Sequence, residues 1–112
     1  MTITIQNVEE AKETIKTNDI VLFMKGTKDM PGCGFSAHVI QILNKMNLEY
    51  VDIDVLNDEN FKESMKKFTK WPTFPQLYVK GEFIGGCDIV KEMFEKGELQ
   101  KKLAEKQISY KK

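Results

Sequence analysis

Five apolar residues in a row, Ile20 to Met24, constrain this chain more than any other feature. A run that short, with Asn18-Asp19 before it and Lys25-Gly26 after it, reads as a strand buried on both faces, which needs helices above and below it. Ala37 to Met46 supplies one of them, since Val39, Ile40, Leu43 and Met46 recur at helical spacing. Val51, Ile53 and Val55 then alternate with Asp52 and Asp54. That pattern predicts a second strand, polar on one face and lying at the sheet edge, where charge discourages edge-to-edge aggregation. A strand-helix-strand unit of this length predicts a parallel pair with a right-handed crossover.

The flanking segments complete the layers. Asn7 with Glu10 fits a capping box, and Val8, Ala11 and Ile15 form one stripe, so a first helix runs over about Val8 to Lys16. Asp58 caps a helix whose Phe61, Met65 and Phe68 lie about one turn apart, with its lysines on a solvated face; Trp71-Pro72 ends it, because a residue before proline is pushed out of the helical region. Gln76 to Val79 and Glu82 to Gly85 predict two strands around the hairpin turn Lys80-Gly81. Gly85-Gly86 opens a helix over Asp88 to Lys96 with Gly97 as its stop, and Leu99 and Leu103 mark a last short helix before a polar tail. The expected architecture is α/β: a mixed four-stranded sheet flanked by helices on both faces. With 112 residues, 41% of them hydrophobic, one domain is expected over 1–112, its core over about 7–104.

Charge and composition exclude some roles. A formal net charge of +0 argues against sequence-independent nucleic-acid binding, which needs a basic face. All 17 basic residues are lysines, so each anion contact is a point charge and not a bidentate fork. No apolar run approaches the ~20 residues that cross a bilayer, so no membrane role is expected. Met1 to Thr17 is polar, lacks arginine and contains Glu9, Glu10 and Glu13, unlike a secretory or mitochondrial leader. Two widely separated cysteines suit a reducing compartment, and a cytoplasmic protein is the expectation.

The loop between the first strand and its helix, Lys25 to Ser36, carries the candidate chemistry. Cys33 sits where this loop enters the helix, and unpaired N–H groups with the helix dipole favour an anion there, lowering a thiol from ~8.5 into a range of about 3.5–7.5. Pro31, Gly32 and Gly34 leave little bulk to bury its sulfur. The position three residues on, where a redox Cys-x-x-Cys motif has its partner, is Ser36, so no local disulfide forms. From the residues alone, Lys25 reads as a surface lysine at a strand end, Pro75 as a strand-start proline, Thr73 as a plain strand residue and Asp88 as a helix-start residue favoured by the dipole. The sole histidine, His38, lies more than a helical turn beyond Cys33 and reads as solvated.

Cys33-Gly34-Phe35-Ser36 behind Lys25 resembles the monothiol, CGFS-type glutaredoxins, which carry iron-sulfur clusters. Trp71-Pro72-Thr73-Phe74-Pro75-Gln76 and Gly85-Gly86-Cys87-Asp88-Ile89 match the family pattern in the same order and spacing, so the resemblance spans Asp19 to about Gly97. It implies a thioredoxin-like fold, glutathione as a bound cofactor, and Cys33 as both the redox-active thiolate and a ligand of a 2Fe-2S cluster. It places Lys25 beside the thiolate and glutathione's glycine carboxylate, makes Pro75 cis so that the Phe74 peptide and Thr73 meet the tripeptide, and sets Gly86, Cys87 and Asp88 against the γ-glutamyl end. Lys62 stands where relatives carry an arginine for the glycine carboxylate. The sulfur of Cys87 receives no required role, and Trp71 is packing that shapes the groove. Five residues, Thr27 to Pro31, lengthen the loop relative to dithiol glutaredoxins.

The resemblance therefore implies a carrier that assembles and transfers a 2Fe-2S cluster to apo iron-sulfur client proteins, with a BolA-like protein as a further partner. Such a protein is a cluster-bridged homodimer when loaded and a monomer when empty. The competing reading is a glutathione-dependent thiol-disulfide oxidoreductase that uses the same groove.

Overall fold

β1, Ile20–Met24, is buried along its whole length and lies inside the sheet, as its composition predicts. The computed structural model describes residues 7–56 and 58–110, so the outer ends of the expected 1–112 domain fall outside the described residues. Helix α1 (Val8–Thr17) precedes β1, and α2 (Gly34–Lys45), β2 (Val51–Asp54), α3 (Glu59–Thr69), β3 (Gln76–Val79), β4 (Glu82–Gly85), α4 (Cys87–Glu95) and α5 (Glu98–Glu105) follow it. Strand order is β2-β1-β3-β4, with β1 parallel to β2, antiparallel to β3, and β3 antiparallel to β4. The edge position of β2, the parallel pair and the hairpin are thus as expected. In the hairpin turn Lys80 and Gly81 both have positive φ, 49° and 83°, as a primed two-residue turn requires.

Side chains that alternate along the strands feed two cores. Ile20, Leu22, Met24, Leu77 and Val79 meet Val39 and Leu43 of α2, Val90 of α4, and Leu99 and Leu103 of α5. Val21, Phe23, Val51, Ile53, Val55 and Tyr78 point to the other face, against Ala11 and Ile15 of α1 and Phe61 and Met65 of α3. Burying a Leu or Phe side chain in such a layer stabilises it by ~1.5–3 kcal/mol, so both helical layers are held mainly by this packing. The caps agree with the reading of the sequence: Asn7 Oδ1 accepts from Glu10 N–H at 2.9 Å, and Asp58 Oδ1 accepts from Phe61 N–H at 3.2 Å.

Two expectations need correction. Asp52 does not face solvent; it is fully buried, because the loop before Cys33 folds back over that side of the edge strand. Phe68, in the last turn of α3, is 40% exposed and lies beneath the Lys12 ammonium of α1, 5.2 Å from the ring centroid, although it shares a helical face with the buried Phe61. Beyond α5, Ile108 and Tyr110 pack against the first core, and Ile108 N–H donates to the Leu103 carbonyl at 2.9 Å.

Candidate functional site

Cys33 is the N-cap of α2. Its backbone is extended, and its sulfur takes the place that a serine or aspartate oxygen fills in most caps, accepting from Ser36 N–H at 3.4 Å. The Ser36 hydroxyl is also 3.4 Å from this sulfur, and Ser36 is fully buried. Lys25 N–H donates to Ser36 Oγ at 3.2 Å. With that lone pair occupied, the hydroxyl proton is free to point at the sulfur once the thiol ionises. Burial pushes the Cys33 thiol up, but the Ser36 hydroxyl, the Ser36 and Phe35 N–H groups, and last the Lys25 ammonium outweigh it and hold the thiol below its ordinary value. Sequence reading treated Ser36 only as a missing partner; its place three residues into a helix whose cap is the thiol was the available signal.

The loop from Lys25 is itself folded. Gly32 N–H donates to the Lys25 carbonyl at 2.7 Å, Met30 N–H to the Thr27 carbonyl at 3.1 Å, and Thr27 N–H to the Met30 carbonyl at 3.2 Å. Gly26 has φ +88°, and a Cβ there would sit 2.5 Å from the backbone of Gly32 and Met30, so only glycine fits. Met30, Phe35 and Leu56 are left exposed by this arrangement, at 79%, 64% and 52%.

A cleft of about 380 Å³ opens beside the thiol, lined by Cys33, Gly34, Phe35, His38, Cys87, Asp88 and Lys91. It gathers three of the expected site residues, Cys33, Cys87 and Asp88. His38, expected as a solvated histidine, also lines it, half-buried on the α2 side that faces α4. Lys91, four residues after Cys87, was missed although that spacing puts both on one helical face. Burial and the Asp88 carboxylate push the Cys87 thiol up, against a smaller opposing effect of Lys91, so the two cysteines differ in character.

The turn before β3 carries further expected site residues, Thr73, Phe74 and Pro75, and lies outside the lining of this cleft. The Phe74–Pro75 bond is cis, as the resemblance implied. Gln76 is fully buried, and its side-chain amide donates to the carbonyls of Trp71 at 3.3 Å and Thr73 at 3.1 Å, which fixes the path of this turn. Trp71 packs edge-on to Phe83 with centroids 5.6 Å apart, and a Cβ on Gly86 would lie 3.2 Å from its Nε1 and 3.4 Å from the Pro75 carbonyl oxygen. Gly86, the N-cap of α4, thus joins the two motifs through close backbone contact. Phe74 and Pro75 are buried and Thr73 exposed. Lys62 is held elsewhere, 3.2 Å from Glu59 on its own helix, and does not line the cleft.

A glutaredoxin family model matches residues 20–84. A probable monothiol glutaredoxin 2 of Rickettsia typhi is 57% identical over 98 residues, covering 88% of each chain. The chain belongs to the monothiol glutaredoxins. Among solved structures of this redox family, a monomeric truncated mutant of Trypanosoma brucei 1-C-Grx1 superposes with a TM-score of 0.87 at 39% identity, covering 96% of this glutaredoxin and 98% of that one. Reduced apo GrxS14 of poplar gives 0.78 at 44% identity, covering 88% and 90%. The thioredoxin-like fold of this glutaredoxin is thereby established together with its family.

Proposed function

We propose that this monothiol glutaredoxin binds glutathione and carries a 2Fe-2S cluster, as cargo, to apo iron-sulfur proteins in the cytoplasm. The observation that carries the reading is the Cys33 sulfur: a thiol held below its ordinary value at an open cleft, with a hydroxyl, and not a second thiol, at the resolving position. A thiolate with no local disulfide partner stays available as an iron ligand. A 2Fe-2S cluster takes four ligands, usually thiolates, and among the described residues of one chain no group of three or more His, Cys, Asp or Glu side chains can hold a metal. The donor chemistry therefore fits a shared cluster better than one within a single chain: Cys33 from each of two protomers, with two glutathione thiolates completing the set. The loaded form is then a two-fold dimer and the empty form a monomer. A BolA-like protein is a further partner in this reading.

In this reading glutathione lies along Thr73 and Phe74, its backbone pairing with Phe74 as an added strand. Lys25 and Lys62 attract its glycine carboxylate, while the first turn of α4 at Gly86 and Cys87 receives the γ-glutamyl carboxylate and Asp88 its ammonium. The oxidoreductase reading is favoured by the same activated sulfur. There the Cys33 thiolate attacks the glutathione sulfur of a mixed disulfide and expels the protein thiolate. A second glutathione thiolate then regenerates Cys33, leaving as glutathione disulfide.

Anaerobic reconstitution with iron, sulfide and glutathione separates the two readings. A brown dimer with one glutathione per protomer, kept by Cys87→Ser and abolished by Cys33→Ser, supports the carrier. A colourless product with brisk deglutathionylating activity favours the oxidoreductase.

A further inference from the structure

The side of β2 that faces the loop carries two carboxylates, and both are used. Asp54 Oδ1 accepts from Gly26 N–H at 3.0 Å and from Leu56 N–H at 2.8 Å. Asp52 Oδ2, fully buried, accepts from Lys28 N–H at 2.8 Å. Hydrogen bonds to a charged acceptor are the stronger kind, and each N–H received here is a backbone donor that must be satisfied on folding. Gly26 is the residue directly after Lys25, and Lys25 is bonded through its own N–H to Ser36 and through its carbonyl to Gly32, next to Cys33. A chain of backbone contacts therefore runs from the edge strand to the thiol.

We propose that Asp52 and Asp54 are positioning residues for the site: the β2 carboxylates clamp the loop from Gly26 to Lys28 and so set where Lys25 and Cys33 stand relative to the cleft. The inference rests on the proposed glutathione site for its effect on binding, but not for its effect on the loop. Asp54 is the more informative position, since it is half-exposed and its replacement leaves no large void, whereas Asp52 lies within the packed face. Two of the three N–H groups received, those of Gly26 and Lys28, belong to the functional loop itself, which ties the carboxylates to the site. Asparagine keeps a carbonyl oxygen that can receive both N–H groups held by Asp54, whereas alanine keeps none.

The test compares Asp54→Ala and Asp54→Asn in the full chain by amide NMR and by calorimetric titration with glutathione. Asp54→Ala should move the amide signals of Lys25, Gly32 and Cys33, and weaken glutathione about tenfold with one site per chain retained. Asp54→Asn should restore both. Partial unfolding would instead reduce the number of sites and leave the affinity of the remainder unchanged, and that result overturns the proposal. Unmoved signals in Asp54→Ala overturn it as well. Should the unaltered protein take up no glutathione, the glutathione reading fails, and the amide signals decide the clamp by themselves. Asp52→Asn, which keeps volume and one acceptor oxygen, should behave like Asp54→Asn; loop signals displaced as far as in Asp54→Ala, with the core folded, would overturn the hydrogen-bond account of Asp52.

Discussion

Ser36 meets Cys33 twice at 3.4 Å, through its hydroxyl and through its amide nitrogen, and in doing so occupies the place where a dithiol protein would keep its second sulfur. The serine is therefore a donor to the thiolate and not simply an absent cysteine. Ser36→Ala should raise the pH at which Cys33 becomes reactive, and Lys25→Gln should raise it less, because the ammonium is the smallest of the lowering influences. Alkylation rate against pH measures both; a larger effect at Lys25 would reverse the ranking.

The same depressed thiol links pH to stability. Its folded value lies below the ordinary value of ~8.5, so in the window between the two the unfolded chain binds more protons, and stability rises with pH there. The contribution is complete above the ordinary value and disappears as pH falls through the folded one. Chemical unfolding of the protein against Cys33→Ser across this window should show the difference growing with pH; a flat difference would deny the linkage.

Gly26 and Gly81 both have positive φ, +88° and +83°, but only Gly26 has backbone atoms within 2.5 Å of where a Cβ would be. Gly81→Ala should therefore lose about 1 kcal/mol from the left-handed conformation alone, and Gly26→Ala on the order of 3 kcal/mol. Urea midpoints at constant slope provide the comparison, and equal losses would mean the loop yields to the added carbon.

Met65 is fully buried in the α1 and α3 layer, while Phe68, one turn on, is 40% exposed. Met65→Ala should destabilise by ~2–5 kcal/mol and Phe68→Ala by about 1 kcal/mol or less. Thermal unfolding of the two variants tests whether the core ends before the last turn of the helix, and equal losses would place Phe68 inside it.

Lys25 acts directly on the Cys33 thiol, whereas Lys62 is engaged by Glu59 at 3.2 Å. Lys25→Gln should weaken glutathione more than Lys62→Gln does, and Lys62→Arg should tighten it modestly, because a planar fork can hold a carboxylate while still meeting Glu59. Calorimetric titration at low and moderate salt decides; a Lys62 variant that matches the loss at Lys25 would bring Lys62 into the groove.

Much of this was legible because it depends on local patterns. The run from Ile20 to Met24, the caps at Asn7 and Asp58, and the Lys80-Gly81 turn each follow from a few neighbouring residues, and each is where the pattern puts it. Cys33 at the head of α2 was readable for the same reason. Alternation at Val51 to Val55 located the edge strand but misjudged its polar face, since a carboxylate facing water and one receiving N–H groups from a loop more than twenty residues away look alike in sequence. The nearness of His38 and Lys91 to the thiol was not legible because the cleft is formed by the packing of α2 on α4, a long-range contact that spacing within one helix does not report. Gln76 hid in plain view within a recognised motif, because its clamp on Trp71 and Thr73 depends on the turn that the motif itself makes.

A sulfur that caps a helix cannot change its bonding without the helix registering it. When Cys33 bonds to iron or to another sulfur, it draws on the electron density that now receives the Ser36 N–H, and α2 loses part of an acceptor whose removal in ordinary caps costs ~1 kcal/mol. In the proposed carrier the loaded form would hold a slightly loosened first turn and release of the cargo would tighten it again, a small bias toward giving up what is carried that follows from where the chain placed its thiol.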